Sequence, residues 1–234
     1  MKKYDCLWYW KKNYTDELRY SIRSAIKNLP VNRIIIVGDK PDWFVESEKA
    51  IYIKSPNLLI QEQGVGAVSI KHIRQAVKSG KLGKEFLLFN DDFFIMSPIR
   101  KWVEYHRDED DYAKNASGNW AFHKRTLKSL QYTEQQKKFN LHSPMLITVD
   151  NFNKIFEFWN KLAQKDIDFR TLYGNACVKK SRPLVDNKVG MEETFDDSKF
   201  ISTSDTSFTL GYVGRYIRKM FNEPSFCEAQ PSKK

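Results

Sequence analysis

Apolar residues recur along this chain in two rhythms, short unbroken runs and stripes at helical spacing. Residues 4 to 10, YDCLWYW, read as a buried strand, and residues 16 to 28, DELRYSIRSAIKN, put Leu18, Ile22, Ala25 and Ile26 on one face of a helix. Thr15 or Asp16 can cap that helix, and Leu29-Pro30 ends it, because a residue before proline is driven out of the helical region. RIIIVGD, 33 to 39, is a β-branched run of the kind that parallel sheets cover on both faces, and AIYIK, 50 to 54, makes a third strand after the turn-prone KPDW. GVGAVSIKHIRQAVK, 64 to 78, is a second helix behind a glycine-rich entry. SGKLGK then turns the chain into a strand at 86 to 90, and NFNKIFEFWNKLA, 151 to 163, is a third amphipathic helix whose aromatics belong to the core. The polar stretch 105 to 118 reads as an exposed loop, and the closing QPSKK as a frayed tail.

Strand, helix, strand at the start is a βαβ unit, so the expected class is α/β: one Rossmann-like domain with a mostly parallel central sheet flanked by helices. Such sheets bind ligands at the carboxyl ends of their strands. With 234 residues the chain can bury one sizeable core. No apolar run approaches the ~20 residues that span a bilayer, and MKKYDCLWYW lacks the features of a secretory signal, so the expected location is cytoplasmic with no membrane span. Cys6, Cys177 and Cys227 are widely spaced and odd in number, which fits reduced, packed thiols.

The candidate chemistry gathers in FLLFNDDFFIM, 86 to 96. Asp91 and Asp92 stand between two aromatic runs, and a carboxylate removed from water costs several kcal/mol unless it is paired, hydrogen-bonded or metal-bound. A lone Asp pair at a strand end is ordinarily a solvated turn. A turn to solvent rarely resumes with FFIM, which favours a site holding a divalent metal, Mg²⁺ or Mn²⁺, together with substrate phosphate oxygens.

NYTDELRYSIRSAIKNLPVNRIIIVGDKPDWF followed by FLLFNDDFFIM resembles the second conserved region of the Stealth family of sugar-phosphate transferases, with the same order of an N-E-L-R-Y-S-L-R-S helix, an I-Y-I-V-T-D strand and a Y-F-N-D-D segment. The likeness covers residues 13 to 98. LHSPMLI, 141 to 147, is similar to the family's third region, and ISTSD, 201 to 205, answers its fourth; where its first region carries V-D-G-S-D this chain has LWYWKKN. STSDTSF and FNEPSFCE are also similar to compact phage-encoded glycosyltransferases, some of which modify hydroxymethylated DNA bases.

The resemblance implies a single GT-A-like domain over 1–234, with a nucleotide-sugar half (1–98), an acceptor half (99–225) and a flexible tail (226–234). It implies Asp91 and Asp92 as metal ligands, with Asn90 and Asp91 toward a nucleotide-sugar donor. Asp39 at the end of its strand is placed to accept from the base or ribose, and Arg19, Lys71 and Arg74 could reach the diphosphate, although each also reads as part of a solvated helix face. For the general base, Asp205 comes first and His142 second, each against a structural role as a cap or a loop histidine. The net charge of +10 points to an anionic acceptor, DNA with hydroxymethylated bases or an anionic glycan. The expected activity is metal-dependent transfer of a sugar to a hydroxyl, most of all on a 5-hydroxymethylpyrimidine. The rivals are transfer of sugar 1-phosphate to a glycan and an inactive domain that binds nucleic acid.

Overall fold

Leu7, Ile35, Val37, Phe86 and Leu88 alternate along their strands with Cys6, Ile34, Ile36, Leu87 and Phe89, and the two sets enter different apolar clusters on opposite faces of one sheet. The structure is a computed structural model, which describes residues 1–56, 64–108, 120–162, 166–191 and 198–229. The first elements are β1 (Tyr4–Trp10), α1 (Glu17–Asn28), β2 (Val31–Gly38), β3 (Ala50–Lys54), α2 (Val65–Lys78) and β4 (Glu85–Phe89). Beyond them come β5 (Phe93–Ile95), β6 (Tyr105–Arg107), α3 (Trp120–Leu130), β7 (Met145–Thr148), α4 (Val149–Lys161), α5 (Phe169–Cys177), β8 (Arg182–Leu184), β9 (Lys188–Val189), β10 (Phe200–Thr203), α6 (Asp205–Thr209) and α7 (Tyr212–Met220).

The main sheet has the order β3-β2-β1-β4-β7, with β7 alone antiparallel. Leu7 faces Ile35 on one side and Leu88 on the other, so β1 is the buried centre. α1 seats Leu18, Ile22 and Ala25 on one face, and α2, α4 and α5 cover the other through Ile70, Phe152 and Leu172. Each such fully buried side chain contributes roughly 1.5–3 kcal/mol. This is the expected Rossmann-like α/β arrangement. Residues 105–107, expected as loop, instead pair with β8; residues 109–118 of that expected loop lie outside the described residues.

A smaller unit rests on one end of the sheet. β5 pairs with β10, which pairs with β9, and Phe94, Val189, Ile201, Phe208, Val213 and Ile217 make a third apolar cluster beneath α6 and α7. β5 belongs to the expected nucleotide half and β10 to the acceptor half, so the two are interlocked by strand pairing. Of residues 226–229, expected as tail, Cys227 is fully buried and Glu228 meets Arg23 of α1, while Phe226 and Ala229 are exposed. The QPSKK stretch, 230–234, lies outside the described residues. No described helix is long and apolar enough to cross a membrane.

Candidate active site

The strand order places the candidate site. The chain runs outward from β1 to β3 and then returns to lay β4 on the other flank of β1, so the loops leaving β1 and β4 diverge and open a crevice at their carboxyl ends. Asn90, Asp91 and Asp92 form the loop after β4; Lys11 to Asp16 form the loop after β1. Gly38 ends β2 with φ +123°, and a Cβ there would collide with the Trp10 carbonyl, so glycine is required for the turn that delivers Asp39.

Each member of the acid loop has a partner from a different element. The Tyr9 hydroxyl donates to Asn90 Oδ1 at 2.8 Å, and the Asn13 amide donates to Asp91 Oδ2 at 3.2 Å. Ser202 Oγ and Lys188 Nζ both donate to Asp92 Oδ2, at 2.7 and 3.4 Å. Beside them Glu17, only 1% exposed, accepts from Thr203 Oγ1 at 2.5 Å and from Thr15 Oγ1 at 3.1 Å. Burial, then the charges of Asp92 and Asp205, push the Asp91 carboxyl up to about 7. Burial, with Asp92 and Asp91 behind it, pushes Glu17 up to about 8. Asp91 and Glu17 are thus both held well above the ordinary carboxyl range, in the company of Asp92 and its Lys188 ammonium.

Two adjoining cavities flank this loop and share Tyr9, Val65 and Ser69. The smaller, about 180 Å³, lies at the ends of β1 and β2 and is lined by Trp10, Asp39, Ser55, His72 and Asp91. The larger, about 530 Å³, extends from Asn90 and Phe93 to His142, Arg170, Asp186 and Lys188. His142 Nδ1 lies 2.6 Å from Asp186 Oδ2, and the His142 backbone N–H donates to Asp186 Oδ1 at 2.8 Å. Burial opposes ionisation of Asp186, but His142 and Arg107, the latter at 3.2 Å, outweigh it and hold the carboxyl below its ordinary range. With Nδ1 engaged, Nε2 is the ring nitrogen left for a ligand in the cavity. Arg170 lies half-buried under the same floor, donating to the carbonyls of Ser143 at 2.6 Å and Leu88 at 3.2 Å, over the Phe93 ring.

The residues singled out from sequence fall into three groups. Asn90 and His142 line the large cavity and Asp39 and Asp91 the small one, while Asp92 lines neither and meets the large one through Lys188. Asp205 is the first residue of α6, exposed and close enough to raise Asp91, and it lines neither cavity; Ser204, not Asp205, caps the helix. Arg19 turns to Asp16, Glu228 and the Trp43 ring, and Arg74 turns to Asn153 and the Phe156 ring of α4. Lys71 lies on α2 and lines neither cavity. Tyr9, Asn13, Glu17, Arg170, Asp186, Lys188 and Ser202 were not singled out. Glu17 had one signal, its place beside Leu18 on the stripe that continues through Ser21 and Ile22.

No group of three or more His, Cys, Asp or Glu side chains that could hold a metal occurs among the described residues. The residues that could hold one are Asp91 and Asp92, and two carboxylates fit a hard divalent cation that completes its shell with substrate oxygens and water. Their mutual repulsion is the feature such an ion would relieve.

No protein-family model matches the chain. It is similar to a capsular polysaccharide phosphotransferase, LcbA, of Aeromonas hydrophila, 35% identical over 89 residues or 36% of the chain. It is also similar to an exopolysaccharide phosphotransferase of Nocardia farcinica, 30% identical over 89 residues. The match covers 24% and 18% of those two proteins, so the chain aligns with less than a quarter of either.

Proposed function

We propose that the chain is a metal-dependent transferase that moves a sugar 1-phosphate from a nucleotide sugar to a hydroxyl of a glycan. The observation that carries this reading is the acid pair at the switch point, with Asp91 on the small cavity, Asp92 joined to Lys188 of the large one, and the Asp186–His142 pair on the large cavity's wall. The likeness to two phosphotransferases supports the same class. The small cavity beside Asp39 would take the nucleoside, and the large one the sugar and the incoming hydroxyl.

Asp91 and Asp92 would hold the divalent cation, whose contribution there is to neutralise diphosphate charge. His142, oriented by Asp186, takes the proton of the acceptor hydroxyl at Nε2. The hydroxyl oxygen forms a bond to the phosphorus that carries the sugar, the bridging P–O bond breaks, and a nucleoside monophosphate leaves. Asn90 is held by Tyr9 on the cavity wall, where it can orient the donor.

A second reading, transfer of the sugar alone to a hydroxymethylated base in DNA, draws on the net charge of +10. The two differ in their leaving group. Incubation with Mn²⁺ or Mg²⁺, a panel of nucleotide sugars and either a polysaccharide or 5-hydroxymethylpyrimidine DNA should release nucleoside monophosphate with the polysaccharide. Nucleoside diphosphate, with a sugar mass added to the base, would establish the second reading instead. Asp92→Asn is expected to lower turnover at least ~100-fold, the scale of losing a group that stabilises transition-state charge. Full turnover in that variant sinks both readings.

A further inference from the structure

Four Arg or Lys side chains line the large cavity among the described residues, and they differ in how firmly they are held. Arg170 is fixed by two backbone carbonyls and the Phe93 ring. Arg107 has a side chain only 8% exposed and sits against Asp186. Arg125 lies 3.9 Å from Asp166. Lys188 is 44% exposed on a flexible stem, and its ammonium reaches Asp92 Oδ2 at 3.4 Å.

The position of Lys188 follows from the small sheet. β9 runs parallel to β10 with Lys188 opposite Ser202, so the two side chains converge on the same carboxylate oxygen. Ser202 is a neutral donor that orients Asp92 whatever else binds there. An ammonium and a divalent cation on that one oxygen repel each other, and the longer, more exposed contact is the one that yields.

We propose that Lys188 is a two-position cation: it rests on Asp92 when no metal is bound, and moves to the donor's phosphate once a divalent cation takes Asp92. This rests on the transferase reading above. Lysine suits the second position because it binds phosphate as a mobile point charge, with no fixed fork to align. Lys188 then opposes the metal in the absence of donor and assists the donor in its presence, which links the two binding steps.

The test is titration of the full chain with Mn²⁺ alone, then with a panel of UDP-, GDP-, CDP- and dTDP-linked hexoses at saturating Mn²⁺. Lys188→Met should bind Mn²⁺ about tenfold more tightly, the scale of removing one like charge from a site, and the preferred nucleotide sugar about tenfold more weakly. Lys188→Arg should restore much of the nucleotide-sugar affinity, and Lys188→Gln serves as a second neutral variant should the methionine form fail to fold. Opposite signs for the two ligands are the signature, since a merely structural lysine would weaken both when removed. Weakening of both, or unchanged Mn²⁺ affinity, overturns the inference while leaving the transferase reading standing. If the unaltered chain binds neither Mn²⁺ nor any nucleotide sugar, that reading fails and the role of Lys188 with it.

Discussion

Two aspartates at opposite ends of the sheet, Asp5 buried and Asp91 half-buried, show how neighbours decide what a residue is for. Asp5 is 4% exposed, and burial alone would raise it, yet Arg33, Asn32 and the Gly83 N–H together hold its carboxyl below the ordinary range. That charge is satisfied within the chain and serves the fold. Asp91 loses water, has two neighbouring acids and only the Asn13 amide as a side-chain partner, and it rises to about 7. Glu17 rises to about 8 because burial outweighs its two threonine hydroxyls. A carboxyl whose folded value lies above its unfolded one stabilises the fold below the unfolded value, and that contribution is lost as pH rises through the folded one. For Glu17 the window runs from 4.5 to about 8. Urea midpoints of Glu17→Gln and the unaltered chain, measured without divalent ions at pH 5.5 and pH 8.5, should therefore move in favour of the variant at the higher pH. A gap that stays constant across that range would show that Glu17 is already ionised in the fold.

At the scale of elements, α1 holds the molecule together, because the site and the closing segment both depend on it. Its first turn supplies Glu17 to β10, and its middle supplies Arg23, which donates to both oxygens of Glu228 at 2.8 and 2.5 Å and to the carbonyls of Phe221 and Asn222. The two side chains are 9% and 5% exposed, so Glu228→Ala strands a buried guanidinium and should cost about 3–5 kcal/mol in a urea titration. A loss below ~1 kcal/mol would mean that water reaches Arg23 freely. The βαβ half was legible because its runs are long and one-sided: YDCLWYW and AIYIK became strands at the expected residues. The small unit was not legible, because β9 has two residues and β10 four, too few to show a period. The same limit hid the site's supports. DELRYS reads equally as a solvated helix start, and nothing in DFRTLYG marks Arg170 as part of the site floor. Asp186 lies 44 positions beyond the histidine it orients, a contact that only the fold creates. The acid pair was visible because its flanks are apolar on both sides.

At the scale of the whole molecule, the surplus of positive charge remains after the site has been accounted for. Asp5, Asp186 and Glu228 are each matched by an arginine within the fold, so those pairs remove as much negative as positive charge from the surface and leave the net +10 untouched. A field of that sign acts on whatever approaches, and it acts on association more than on chemistry. On the proposed reading, the step at the acid pair takes place in a crevice beside Phe93, Tyr9 and the half-buried Arg170, where salt screens less, whereas capture of an acceptor happens in solvent, where the Debye length is about 10 Å at 0.1 M. Steady-state assays with an acidic and a neutral polysaccharide acceptor should separate the two. Between 50 and 200 mM NaCl the KM for the acidic acceptor should rise several-fold with kcat unchanged, and the neutral acceptor should show little change in either. If kcat falls with salt for both acceptors, the ions reach the carboxylates and the site is open rather than enclosed. If neither parameter moves for the acidic acceptor, the surface charge has no part in acceptor choice and the acceptor is held by uncharged contacts within the large cavity.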